Sequence, residues 1–287
     1  MKLGCNTSMF NQLDLYGALQ HIAWAGYEGA EICYQPIVYQ HLELNTNKSY
    51  IDEVKFMAKK HNLELFGIHT GWGPGFSDLP DDDKIKLLTK VFDVAVKLNT
   101  PLVMVRTFGK SEDKEETKIQ FKYVKKLCEI AESKGVTLAV KAHIGASVYN
   151  IATTLQMLDA IHSPALGINL DIFQIYKIGE DPAEAVLKFG KRIVHTHFTD
   201  AQKALVLGPP EPGYEQIPGR NDMDFIKILK RLKSVGYAGA IDVLITCNLP
   251  IPMPGQIPYP LSRQMGMAAE ARGYLHRCFQ ELKLGSI

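Results

Sequence analysis

The chain has no CxxC pair, no apolar run long enough to span a membrane, no low-complexity segment and almost no net charge. Its five cysteines, Cys5, Cys33, Cys128, Cys247 and Cys278, are odd in number and widely scattered. That pattern argues against a disulfide framework or a cysteine zinc cage, and a reducing cytoplasm is the expected compartment. With 32 Lys and Arg against 31 Asp and Glu, no excess field gathers nucleic acid or an anionic membrane surface. The opening MKLGCNTSMF lacks the apolar stretch of a signal peptide, so a soluble, unanchored protein is expected. Small neutral or weakly charged ligands fit this balance.

At 287 residues and 46% hydrophobic side chains, the chain can form one large α/β barrel or two ordinary domains. Short β-branched or apolar runs alternate with longer segments of helical period, and eight such cycles can be read. The predicted strands are Leu3–Ser8, Gly29–Tyr34, Leu63–His69, Leu102–Thr107, Thr137–His143, Leu166–Ile172, Ile193–Thr199 and Ala240–Thr246. Between them, Asp83–Leu98 carries one apolar stripe, Glu112–Lys134 is amphipathic and ends at SKG, and Met223–Val235 ends at GYAG. Strict alternation implies parallel strands joined by right-handed crossovers, and eight of them predict a single-domain (β/α)8 TIM barrel over residues 1–287. A doubly wound open sheet is the alternative, but no GxGxxG turn follows the first strand and no linker splits the chain.

Side chains alternate along a strand, so polar residues of one parity mark the barrel interior. Lys141 and His143 on the fifth strand, Asn169 and Asp171 on the sixth, and His195, His197 and Thr199 on the seventh share that parity. Glu31 on the second strand and His69 on the third join them. Lys141, Asp171, His197 and Leu244 should face one another at four successive strand ends. Asp242 lies two residues below Leu244, about 6.6 Å deeper at a rise near 3.3 Å per residue, and reads as an interior hydrogen-bonder. His195, one layer below His197, reads as a core histidine bonded to backbone. Two Pro- and Gly-rich loops, Gly208–Gly219 and Asn248–Pro260, fall on the face where barrel enzymes build their sites. Past the first of them, Asp222 or Asp224 reads as a helix N-cap.

In their order, KLGCNTSMF, AGYEGAEIC, GIHTG, GVTLAVKAH, LGINLDIFQ, IVHTHFTDA, PGRNDMDF and GYAGAIDVL resemble segments of the xylose-isomerase-like, or AP-endonuclease-type, barrel superfamily. That superfamily holds sugar isomerases, ketose 3-epimerases and inosose dehydratases. The resemblance implies metal ligands Glu, Asp, His and Glu at positions that here read Lys141, Asp171, His197 and Leu244. A histidine that such proteins often carry three residues after the aspartate is Gln174 here. The expected cofactor is therefore none, or a weakly held divalent metal, with Mn, Mg, Co or Zn only if a site is rebuilt from Glu31, His69 or His143.

Lys141 either supplies a fixed positive charge that polarises a carbonyl or plugs the site as a salt-bridge partner of Asp171. Lys141, Asp171 and His197 are the candidate catalytic residues. Glu31, His69, His143, Gln174, Asp200 and Arg220 are candidate substrate contacts. The expected partner is a small carbohydrate-like molecule, with self-association left open. Three functions fit: an isomerase or epimerase working by proton transfer beside a carbonyl, a dehydratase on a polyol or keto-sugar, and a non-catalytic binding barrel.

Overall fold

A computed structural model describes residues 1–35, 39–70, 79–202, 213–246 and 259–284. Eight parallel strands form a ring: β1 (Lys2–Asn6), β2 (Gly29–Gln35), β4 (Glu64–Thr70), β5 (Leu102–Arg106), β6 (Thr137–Lys141), β7 (Leu166–Asp171), β8 (Ile193–Phe198) and β9 (Ala240–Val243). β1 pairs with both β2 and β9, which closes the barrel. A ninth short strand, β3 (Tyr39–Gln40), pairs antiparallel with the end of β2 and lies outside the ring. The alternation in the sequence thus corresponds to a closed (β/α)8 barrel, and β3 is the element it did not predict.

Nine α-helices are found among the described residues: α1 (Leu15–Trp24), α2 (Lys48–Lys60), α3 (Asp81–Lys97), α4 (Lys114–Lys134), α5 (Ile151–Ala160), α6 (Ile172–Lys177), α7 (Pro182–Phe189), α8 (Phe225–Ser234) and α9 (Leu261–Leu282). In α3 the predicted stripe Ile85, Leu88, Val91, Phe92 and Ala95 is buried, and three aspartates in the first turn complement the helix dipole. α4 ends at Gly135, whose φ of 68° is the left-handed conformation that glycine adopts without strain. Asp224 caps α8 by accepting from Lys227 N–H, which decides between the two capping candidates. No described helix is long and apolar enough to cross a membrane.

Several predicted strands run too long: Thr137–His143, Ile193–Thr199 and Ala240–Thr246 stop at Lys141, Phe198 and Val243. Beyond those points side chains take over from the ladder, as when Val148 N–H donates to the Thr107 hydroxyl and Thr246 N–H to Gln216 Oε1. Residues 208–212 of the first Pro- and Gly-rich loop, residues 248–258 of the second, and Cys247 lie outside the described residues.

Two register shifts shape the interior. One, between Ala30 and Glu31, leaves Phe66 unpaired between Leu65 and Gly67. The other, between Ile168 and Asn169, skips Val194. The Phe66 ring lies against the backbones of Gly4 and Gly29, where an added methyl group would come within 2.6 and 2.4 Å of it. A methyl on Gly4 would also approach Asp242 Oδ1 to 2.9 Å. Gly4 thus leaves room for both an aromatic ring and a carboxylate. The chain ends meet here as well: Tyr27 Oη donates to Ala268 O at 2.9 Å, and Arg272 Nε to Gly26 O at 2.9 Å, pinning α9 across the turn before β2.

Gly4→Ala should displace Phe66 or Asp242 and destabilise the protein by about 1–3 kcal/mol, the usual range for overpacking. Urea unfolding followed by far-UV circular dichroism measures the difference, and an unchanged midpoint would contradict this packing.

Candidate active site

The ends of β2, β4, β6, β7, β8 and β9 bring an unusual number of ionisable groups into the barrel. Glu31, His197 and Asp242 are fully buried, His195 is 1% exposed, and Asp171, His69 and Lys141 are 4–6% exposed. Charged groups removed from water survive only when paired, and the pairing here runs through one residue, His197. Its Nε2 lies 2.9 Å from Glu31 Oε2, and its Nδ1 lies 3.5 Å from Asp171 Oδ2. The ring therefore divides the cluster into two halves.

On one side stand Lys141 and Asp171, with Lys141 Nζ 3.2 Å from Asp171 Oδ2. Three of the four positions expected to face one another thus do so. Burial would raise the Asp171 carboxyl, but Lys141 and His197 hold it well below the usual carboxylate range. Asp171 also caps α6 by accepting from Gln174 N–H. Leu244 follows directly after β9, and its carbonyl oxygen accepts from the Thr199 hydroxyl.

This half does not fit the metal that the family resemblance implies. A cation beside Asp171 would meet the Lys141 ammonium, and Leu244 offers only hydrocarbon.

On the other side are Glu31, His195 and Asp242. His195 Nε2 is 3.3 Å from Glu31 Oε1 and 3.3 Å from Asp242 Oδ2. This corrects one expectation: His195 does not turn to backbone here, because carboxylates from two other strands converge on its Nε2. Asp242 lies in the interior as expected and faces His195, though neither of its oxygens meets the alignment of a hydrogen bond among the described residues. Burial opposes charge on both histidines, but the carboxylates around His195 and His197 raise both imidazoles above their ordinary value. Burial raises the Glu31 carboxyl, and His197, His69 and His195 outweigh it and hold the group well below the usual range. Asn6 donates through Nδ2 to Glu31 Oε2, a contact across the closure seam that strand parity alone did not single out.

The remaining candidates occupy the rim. The His69 ring lies edge-on to His197 at 4.9 Å between centroids. Burial and then Lys141 depress its imidazole well below the ordinary value. His143 Nδ1 is 2.7 Å from Ile144 O and 3.1 Å from Arg106 Nη1. Arg106 can only donate, so a given tautomer satisfies one of these two contacts. Gln174 accepts from Ile144 N–H at 3.1 Å. Asp200 and Arg220, by contrast, hold the protein itself together. The Asp200 carboxylate accepts from the backbone N–H groups of Ala201, Gly219, Arg220 and Asn221. Arg220 forms a two-point pair with Glu270 of α9 at 2.7 and 2.8 Å.

Comparison with known proteins agrees with this architecture. An inosose dehydratase of Clostridium perfringens (strain ATCC 13124) is 23% identical over 247 residues, 77% of this chain and 78% of that protein. Among solved structures, the probable 3-DHS dehydratase AsbF involved in petrobactin synthesis from Bacillus anthracis superposes with a TM-score of 0.76 at 16% identity, covering 96% of this chain and 100% of the other. A D-tagatose 3-epimerase-like protein superposes with a TM-score of 0.73 at 20% identity, covering 98% and 100%. At such identities the structural likeness speaks for the fold alone. The family model for the xylose isomerase-like TIM barrel matches residues 19–252, and with the closed eight-stranded ring this chain belongs to that family.

Proposed function

We propose that the mouth of the barrel binds a small keto-sugar or cyclic polyol-derived ketone and moves a proton on the carbon beside its carbonyl. The observation that carries this reading is the buried Lys141–Asp171 pair at a strand end where active members of the family are expected to hold a metal. A fixed ammonium in a water-poor pocket stabilises the negative charge that develops on the carbonyl oxygen as the proton leaves. Asp171 positions that ammonium, and the N–H2 of Gln174, whose oxygen is already taken by Ile144, is available to a substrate hydroxyl.

Proton transfer falls to Asp171 and His143 beside Lys141, with His197 holding Asp171 through Nδ1. Once the enediolate forms, three endings share it. Return of the proton to the opposite face inverts the carbon, and return to the neighbouring carbon isomerises. Expulsion of a β-hydroxyl, which leaves as water with a proton from a side chain, dehydrates. Isomerisation or epimerisation is the first reading. Dehydration is the second, and two observations favour it. The inosose dehydratase relative covers most of the chain. Lys141 and Leu244 also replace both glutamates that the resemblance assigns to acid–base work on the two faces of an epimerase substrate.

Incubating the protein with ketoses, keto-acids and inosose-like ketones in deuterated water, followed by NMR, tests the reading. Wild type should take up solvent deuterium or eliminate water, and Lys141→Met should slow either process by about 100-fold, the loss typical for a group that stabilises an oxyanion. Tight ligand binding with neither exchange nor elimination would replace this reading with a binding protein. Binding to none of the panel would defeat it.

His143 gives an independent check. Burial, Arg106 and Lys141 push its imidazole down to about 3 from an ordinary value of 6.5. In NMR titrations, with the resonance assigned by comparison with His143→Gln, it should show no protonation between pH 8 and pH 5. The unfolded chain takes up a proton near the ordinary value and the folded one does not. Through this site, stability should therefore fall as pH drops below about 6.5 and level off only below the folded value.

A further inference from the structure

The half of the cluster on the far side of His197 has no task in the proposed reaction. Glu31, His195 and His197 bring one carboxylate oxygen and two imidazole nitrogens within 4.8 Å of one another. We propose that these three residues, with Asp242 as a fourth donor, hold a divalent transition-metal ion of the Zn or Co class, displaced from the position that the family resemblance indicates.

Two observations carry this. The first is spacing. Ligands bound tetrahedrally at 2.0–2.1 Å stand about 3.3 Å apart along each edge. Glu31 Oε1 lies 3.3 Å from His195 Nε2 and 3.0 Å from His197 Nε2, and Asp242 Oδ2 lies 3.3 Å from His195 Nε2. The second is the state of the donor atoms. His195 Nε2 and both Asp242 oxygens are buried without a hydrogen bond among the described residues. The imidazole nitrogen sits within reach of two carboxylates yet is aligned with neither, as expected if it points at a shared focus between them. Leaving such atoms unsatisfied is strongly unfavourable, and one ion would satisfy all three.

The ligand chemistry narrows the ion. Two imidazoles and two carboxylates suit Zn2+ or Co2+ better than Mg2+ or Ca2+, which prefer all-oxygen shells. The three clustered donors, each no more than 1% exposed, leave a fourth position to Asp242, whose Oδ2 stands 3.3 Å from His195 Nε2, and the depth of burial is that of a structural rather than a catalytic site. His197 also has the outer contact that metal-bound histidines usually show, with Nδ1 facing the Asp171 carboxylate at 3.5 Å while Nε2 faces the site. An ion here would tie β2 to β8 and β9 across β1, the strand that closes the ring.

The test uses the full chain without substrate, so it stands or falls separately from the proposed reaction. Chelator-treated protein is titrated with Co2+, following visible absorption and heat, and then with Zn2+, following Tm. One equivalent of Co2+ should bind with the intense visible bands of a tetrahedral site, and Zn2+ should raise Tm. His195→Gln and Glu31→Gln should abolish both effects. Asp171→Asn should retain one equivalent at 10- to 100-fold weaker affinity, as expected when only an outer contact is lost. Circular dichroism of each variant without metal establishes that it is folded; should Glu31→Gln fail to fold, His195→Gln decides. No uptake of either ion by folded wild type would overturn the proposal. So would uptake that survives His195→Gln and is lost in Asp171→Asn.

Discussion

Everything polar inside this barrel depends on how His197 is flanked. One imidazole lies between Glu31 and Asp171, and through them it links a lysine on β6 to an aspartate on β9, nearly half the ring away. Buried carboxylates repel one another and resist leaving water, so none of the three acidic groups could occupy its place alone. Each is tolerated because its neighbour carries, or can carry, the opposite charge. The cluster is thus a single electrostatic unit, and a substitution at one member changes the environment of the rest.

Much of this unit was legible in the sequence. Strand parity placed Lys141, Asp171 and His197 on one inward face, and they meet at 3.2 and 3.5 Å. Those three lie on consecutive strands, β6 to β8, and each points inward by the alternation of its own strand. The second half was not legible. Glu31 and His195 are more than 160 positions apart in the chain and meet only because the ring closes through β1. The depth of one strand relative to another depends on stagger and on the shifts at Ala30/Glu31 and Ile168/Asn169, none of which a count of residues along one strand can supply.

Asp200 and Arg220 show a different limit. Their residue types suit substrate contacts, yet Asp200 binds four backbone N–H groups and Arg220 binds Glu270. Backbone donors leave no mark in a sequence, so a carboxylate that clamps a loop looks the same as one that binds a ligand.

The pairing of β1 with β9, reinforced by α9 lying across the turn before β2, has a consequence for how the protein is made. Strand β1 cannot complete its hydrogen-bond ladder until β9, far along the chain, has been synthesised. Through that interval β1 presents one unpaired edge, and Glu31 waits for imidazoles that have not yet emerged. Closure is therefore a late, long-range event, of the kind that slows folding and exposes sticky edges to other chains. A nascent chain of this design depends on β9 and α9 to finish what β1 began.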